Sequence, residues 1–143
     1  MLGCLDKNNP SHPSDPASQE CIFPSIELGQ AILVEKDFKL TGLINLRSAQ
    51  EHTIGMSRPH LSSGGRKAIF TGDNMQHPLE VFEPDWSTTR CTDINLAIES
   101  RRRIAEKIAD TEIKLITAYS LGHTVGYILS RGNDFKFRYF CLD

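Results

Sequence analysis

The sequence predicts an α/β (α+β) domain in which a mixed sheet is layered against one long helix. Three observations predict it. Short apolar segments rich in branched residues recur from about residue 31 to the end of the chain. A single stretch, Ile94 to Ala109, repeats apolar residues at helical spacing. The last segment alternates Phe135, Phe137 and Tyr139 with Lys136 and Arg138, the period of a half-buried strand.

Taken in order, residues 1–20 hold Pro10, Pro13 and Pro16 among Asn, Ser and Asp, too little apolar surface to offset chain ordering, so a disordered leader is expected there. The globular part is expected over 21–143. Ala31-Ile32-Leu33-Val34 and Leu43-Ile44-Asn45-Leu46 read as its first two strands. Met56 to Leu61 and Lys67 to Thr71 read as two more, joined through Ser62-Ser63-Gly64-Gly65, whose glycines admit the positive φ of a hairpin turn. A phosphate-cradling loop is the sharper reading of those glycines, but the Lys and Ser/Thr it needs are not placed for it.

In the helix, Ile94, Ala97, Ile98, Ala105, Ile108 and Ala109 form the apolar stripe, Asp93 is placed to cap the start, and Glu99 and Arg103 are one turn apart. Successive helical residues point about 100° apart, so Arg101-Arg102-Arg103 is expected to spread around a solvated face rather than form a basic patch. Lys114 to Ala118 and Val125 to Ser130 complete the strands, and no internal repeat is present.

At 143 residues and 39% hydrophobic content the chain fits one core. Sixteen basic residues against eighteen acidic ones give a net charge of -2, which offers no broad attraction to nucleic acid or to an anionic membrane. No apolar run approaches the roughly twenty residues of a bilayer span, and no apolar stretch precedes Gly3-Cys4 as a lipoprotein cleavage box requires. Cys4, Cys21, Cys91 and Cys141 are scattered, with no Cys-x-x-Cys pair, so reduced, unrelated thiols are expected. With no Asn-x-Ser/Thr sequon and no export signal, the expected location is cytoplasmic.

The strand Ala68-Ile69-Phe70 runs into Thr71-Gly72-Asp73, which sets a carboxylate on a loop at a sheet edge, where active-site groups concentrate. Upstream, Glu51-His52-Thr53-Ile54-Gly55 places an imidazole in a link between two strands, so His52 and Asp73 are expected to converge on one edge. A lone His or Asp in a loop is more often a turn or surface residue. The balance shifts with the longer string Thr71-Gly72-Asp73-Asn74-Met75-Gln76-His77-Pro78-Leu79, then Pro84-Asp85-Trp86-Ser87, Asp93 and Ser100-Arg101-Arg102-Arg103.

That string resembles the metallo-β-lactamase-fold hydrolases, in particular the branch of organophosphate hydrolases and lactone-cleaving enzymes, whose sequences run Gly-Asp, His-His-Pro-Leu, Pro-x-Trp-Ser and a basic helix. The resemblance extends from about residue 40 to 140. It implies the C-terminal half of an αββα sandwich and zinc-dependent, dinuclear hydrolysis of esters, lactones or phosphotriesters. Glu51 to Met56 aligns with the family's Gly-His-Thr-Pro-Gly-His motif, so the resemblance implies a metal ligand at His52, and at Asp73 the carboxylate that bridges two metals. It also puts His77 and Trp86 near the substrate pocket. Packing under the long helix is the plainer reading of Trp86, and a surface position that of His77.

The departures from the family are as informative. Its final histidine ligand falls on Tyr119, and a phenol is a poor substitute for imidazole at zinc. His123, four residues on, reads as a surface histidine with some reach toward the site. Gln50, Glu51, Ile54 and Met56 break the histidine motif, and the family's His-x-His-x-Asp-His, which supplies most of the ligands, has no counterpart. His12 is no replacement, and such a motif encoded upstream of Met1 would restore most of the set.

Two ligands fall short of the four of a structural zinc or the three of a catalytic one, so zinc is expected to bind weakly or not at all. Without it no bound water is acidified toward hydroxide. Cys91 reads as a small filler rather than a nucleophile. The expectation is a truncated hydrolase relative without turnover, acting on small molecules only if completed. The alternative is a non-catalytic half-domain that binds a copy of itself or a complementing N-terminal half through an uncovered sheet face.

Overall fold

The structure is a computed structural model that describes residues 20, 22–34, 37–49, 52–53, 55–87, 91 and 93–141. Apart from Glu20, the leader expected over 1–20 lies outside the described residues. The chain divides into two compact units at Lys36/Asp37.

In the first unit the described secondary structure is a short helix, α1, Phe23–Glu27, with Pro24 in its first turn, where the missing N–H costs nothing, and with Phe23 buried. The strand expected at Ala31–Val34 does not form. Ile32 is 81% exposed and Leu33 56%, and branched residues make a strand only where a partner strand supplies hydrogen bonds and a surface to pack on.

The second unit holds seven strands: β1 Phe38–Lys39, β2 Ile44–Ser48, β3 Ser57–Ser63, β4 Arg66–Phe70, β5 Lys114–Ile116, β6 Val125–Arg131 and β7 Asp134–Tyr139. They form one sheet in sequence order. Every neighbouring pair is antiparallel except β4 and β5, which are parallel, so the sheet is mixed as expected. The parallel pair requires a crossover, which carries two helices, α2 Leu79–Phe82 and α3 Ile94–Ile108. Gly64 and Gly65 close the β3–β4 hairpin with φ of 55° and 75°, both in the left-handed region that the tight two-residue turn demands.

Asp93 caps α3: its backbone is extended and its Oδ1 accepts from the Leu96 N–H at 3.0 Å. Met75, Val81 from α2 and Ile104, Ala105 and Ile108 from α3 pack on Ile69, Leu115 and Ile128 of the sheet. Full burial of a side chain the size of Ile108, Leu115 or Ile128 contributes about 1.5–3 kcal/mol. Both helices lie on one sheet face, because these core residues share it. By strand alternation and register, Arg58 and His60 belong to the same face, and Pro59, Leu61, Ala68, Phe70, Ile116 and Tyr127 to the other.

The arginine run does not form a solvated face. Arg102 and Arg103 are exposed, but Arg101 is only 2% exposed. The rotation of about 100° per residue that scatters the three charges places Arg101 on the inward stripe with Ala97, Ile104 and Ile108.

Register fixes where the loops emerge. Ser48 pairs with Ser57, His60 with Ile69, Phe70 with Ile116 and Ile116 with Val125. The loops 49–56, 71–78 and 117–124 therefore leave the sheet at the same edge.

Candidate functional site

Each of the three loops is tied down by the backbone. In the first, the Ala49 N–H donates to Met56 O at 2.9 Å and the Met56 N–H to Thr53 O at 3.2 Å. This closure tucks His52 inward to 5% exposure, with its Nδ1 buried and without a hydrogen-bond partner. In the second, buried Thr71 donates its hydroxyl to Met75 O at 2.6 Å and to Ile116 O at 3.1 Å, fixing the turn Gly72–Asn74 that carries Asp73. Gly72 has φ of 53°, and a Cβ there would sit 3.2 Å from Met56 Cε, so the first two loops touch. In the third, the Tyr119 N–H donates to Gln76 O at 2.9 Å.

Asp73 and Tyr119 meet directly: the phenol donates to Asp73 Oδ1 at 2.8 Å. The edge therefore carries His52, Asp73 and Tyr119.

Beneath Asp73 lies an anchor that sequence reasoning missed. Arg101 Nε donates to Asn74 O at 2.7 Å, Nη1 to the carbonyls of Pro84 and Trp86 at 2.8 Å each, and Nη2 to Ser87 Oγ at 3.3 Å. Its guanidinium also faces buried Glu80 at 3.5 Å. Glu80 in turn accepts from the N–H groups of Gln76 and His77. One guanidinium thus holds the segment from Asn74 to Ser87 against α3, and a buried charge is retained because every lobe of it is hydrogen-bonded. The available signal was positional: Arg101 stands four residues after Ala97 and three before Ile104.

The remaining candidates lie elsewhere. His77 is half-buried, its Nδ1 accepts from the Leu79 N–H at 3.1 Å, and it lines a cavity of about 400 Å³ with Phe82, Arg131 and Phe137. Trp86 does not pack under α3: it is 60% exposed and meets Arg101 through its carbonyl. His123 is exposed and shares a separate cavity of about 390 Å³ with Cys141. Cys91 is half-buried, with Sγ 3.8 Å from Asp93 O.

The donors at the edge do not fit a hydrolytic zinc. Among the described residues no group of three or more His, Cys, Asp or Glu could hold a metal ion. One oxygen of Asp73 already takes a proton-bearing donor from Tyr119. Among the described residues, what remains is one orphaned imidazole nitrogen and one partly engaged carboxylate, fewer donors than either class of zinc site uses.

No protein-family model matches the chain, and no curated protein matches it. Solved structures do match. AidC, a dizinc quorum-quenching lactonase, superposes with a TM-score of 0.76 at 23% identity over 93% of this chain and 47% of its own. The hydrolase AbOPH of the beta-lactamase superfamily superposes with a TM-score of 0.72 at 15% identity over 88% and 44%. A probable metal-dependent hydrolase from Staphylococcus aureus gives a TM-score of 0.66 at 18% identity over 80% and 42%. The chain spans less than half the length of each of these three, and at such identities the likeness shows the fold.

Proposed function

We propose, from a chain that carries the metallo-β-lactamase hydrolase fold over less than half the length of its solved counterparts, that it is part of a metal-dependent hydrolase of the ester, lactone or phosphotriester class and has no turnover as an isolated chain. The observation that carries this reading is the 2.8 Å hydrogen bond from Tyr119 to Asp73. The phenol hydroxyl donates to the carboxylate, so Tyr119 caps Asp73 as a hydrogen-bond donor instead of joining it as a ligand. His52 is then the one further protein donor the resemblance assigns to this edge, and among the described residues no Ser or Cys nucleophile is paired with it to run metal-free chemistry.

Hydrolysis of a lactone and of an aryl ester by zinc-loaded chain, with and without chelator, tests the proposal. The expected rate is indistinguishable from that of a His52→Ala control. A chelator-sensitive rate well above that control would sink it.

A second reading, docking of this half-fold on a copy of itself or on a complementing N-terminal half, is favoured by Phe70. It lies on β4, the middle strand of the sheet and on the face without α2 and α3, yet is 38% exposed. An apolar residue there is ordinarily covered. Light scattering that returns a monodisperse monomer, with no binding of an apolar-surface dye, would count against it.

A further inference from the structure

A cavity of about 500 Å³, lined by neither His52 nor Asp73, opens between α3 and the sheet face of β2 to β4. Its floor is apolar, from Ile69, Ile104 and Ile108, and its walls are cationic, from Arg47, Arg58, Arg103 and Lys107. Among the described residues one carboxylate, Asp37, lines it, so their four permanent cations less one anion leave a formal lining charge of +3 in a chain whose net charge is -2.

Folding alone does not favour this arrangement. Arg47 and Arg58 are directly opposite across the β2–β3 ladder, a placement in which like charges repel. Asp37 offsets only part of the repulsion, since it is fixed at Arg47 and at the Ser48 N–H. The Arg58 guanidinium is aimed by Asn74 Oδ1 at 3.3 Å and Ser100 Oγ at 3.1 Å. Arg103 pairs with Glu99, but both side chains are more than half exposed, so the pair is weak and easily exchanged. His60 stands in the same wall, and burial first, then Arg58, Arg47 and Lys107, hold its pKa below the usual imidazole value. The neutral ring adds hydrogen-bonding capacity without a further charge.

We infer that this cavity binds a small phosphate monoester. A dianion offsets most of the +3 lining where a monoanion offsets less, and guanidinium forks match phosphate oxygens in pairs. The volume lies in the range of roughly 300–1,000 Å³ typical of small-molecule sites and exceeds what a phosphate group alone fills. The apolar floor accepts the ester's organic group. None of this depends on the hydrolase reading, because neither His52, Asp73 nor Tyr119 lines the cavity.

Calorimetric titration of the full chain with phenyl phosphate, inorganic phosphate and benzoate tests the inference. Phenyl phosphate is expected to bind tightest and benzoate weakest, with affinity falling as salt rises. In an Arg103→Gln/Lys107→Gln variant, both positions exposed and tolerant, phenyl phosphate affinity should fall by about tenfold or more. The charge-matched control Arg102→Gln/Arg138→Gln, outside the cavity, should stay close to wild type. No binding at millimolar phenyl phosphate, equal losses in the two double variants, or benzoate binding as tightly as phenyl phosphate would overturn it.

Discussion

Replacing Arg101 by Met removes the guanidinium and keeps most of the side-chain volume. The change strips donors from the carbonyls of Asn74, Pro84 and Trp86 and leaves Glu80, 7% exposed, facing no cation. Breaking a buried pair from one side costs about 3–5 kcal/mol, a large share of the roughly 5–15 kcal/mol by which a domain is stable. With a urea dependence of about 2 kcal/mol per molar, the midpoint of unfolding should drop by about 2 M with little change in slope. Arg103→Met, at a side chain 61% exposed, should move it by no more than about 0.5 kcal/mol. Adding Glu80→Met to Arg101→Met should cost less than the two single losses together, because the stranded carboxylate is then gone. Urea unfolding followed by circular dichroism reads all five chains: wild type, the three single variants and the double variant. An Arg101→Met loss below about 1 kcal/mol, or strict additivity with Glu80→Met, would refute the idea that this pair anchors the segment beyond Asp73.

Other substitutions probe different parts of the account. His60 is held below the ordinary imidazole value of 6.5, chiefly by burial and then by neighbouring cations, so between its folded pKa and 6.5 the unfolded chain binds more protons. Stability should therefore be full above that window and decline as pH falls through it, and His60→Gln should flatten this part of a pH series of unfolding midpoints. A Cβ at Gly126 would lie 2.4 Å from Arg138 O and 2.5 Å from the Phe137 ring, so Gly126→Ala should force β6 from β7 and lower the melting temperature by several degrees. Gly65→Ala places a side chain at φ of 75° with space around it, and should cost about 1–2 kcal/mol by chemical denaturation through backbone strain alone. Tyr119→His replaces the phenol that caps Asp73 with an imidazole, and should raise zinc affinity in calorimetry by at least about tenfold.

Much of the second unit was legible because its signals are local and agree with each other. The Gly64-Gly65 turn, the Asp93 cap and the alternation of Phe135 and Phe137 each name an element by a short-range rule, and each element stands where expected. Ala31–Val34 shows the limit of that logic: four apolar residues read as a strand, but a ladder needs a partner that composition does not reveal. Arg101 fails for the opposite reason. Its charge argued for solvent, whereas its place on the inward stripe argued for the core, and the core position is stable only because distant carbonyls converge on it. The edge itself was readable, since strand order alone brings loops 49–56, 71–78 and 117–124 together. The hydrogen bond between residues 73 and 119 was not, because a pairing across 46 positions leaves no mark in spacing. The cationic cavity was hidden similarly: Arg47, Arg58, Arg103 and Lys107 look like ordinary surface charges until β2, β3 and α3 are folded side by side.

Among the described residues the donors at the edge are too few to hold a hydrolytic metal. Zinc content by atomic emission, after exposure to excess zinc and extensive desalting, tests this most directly when wild type is compared with His52→Ala. The expected result is far less than one zinc per chain, equal in the two proteins. Stoichiometric zinc retained by the wild type and lost with His52 would contradict it.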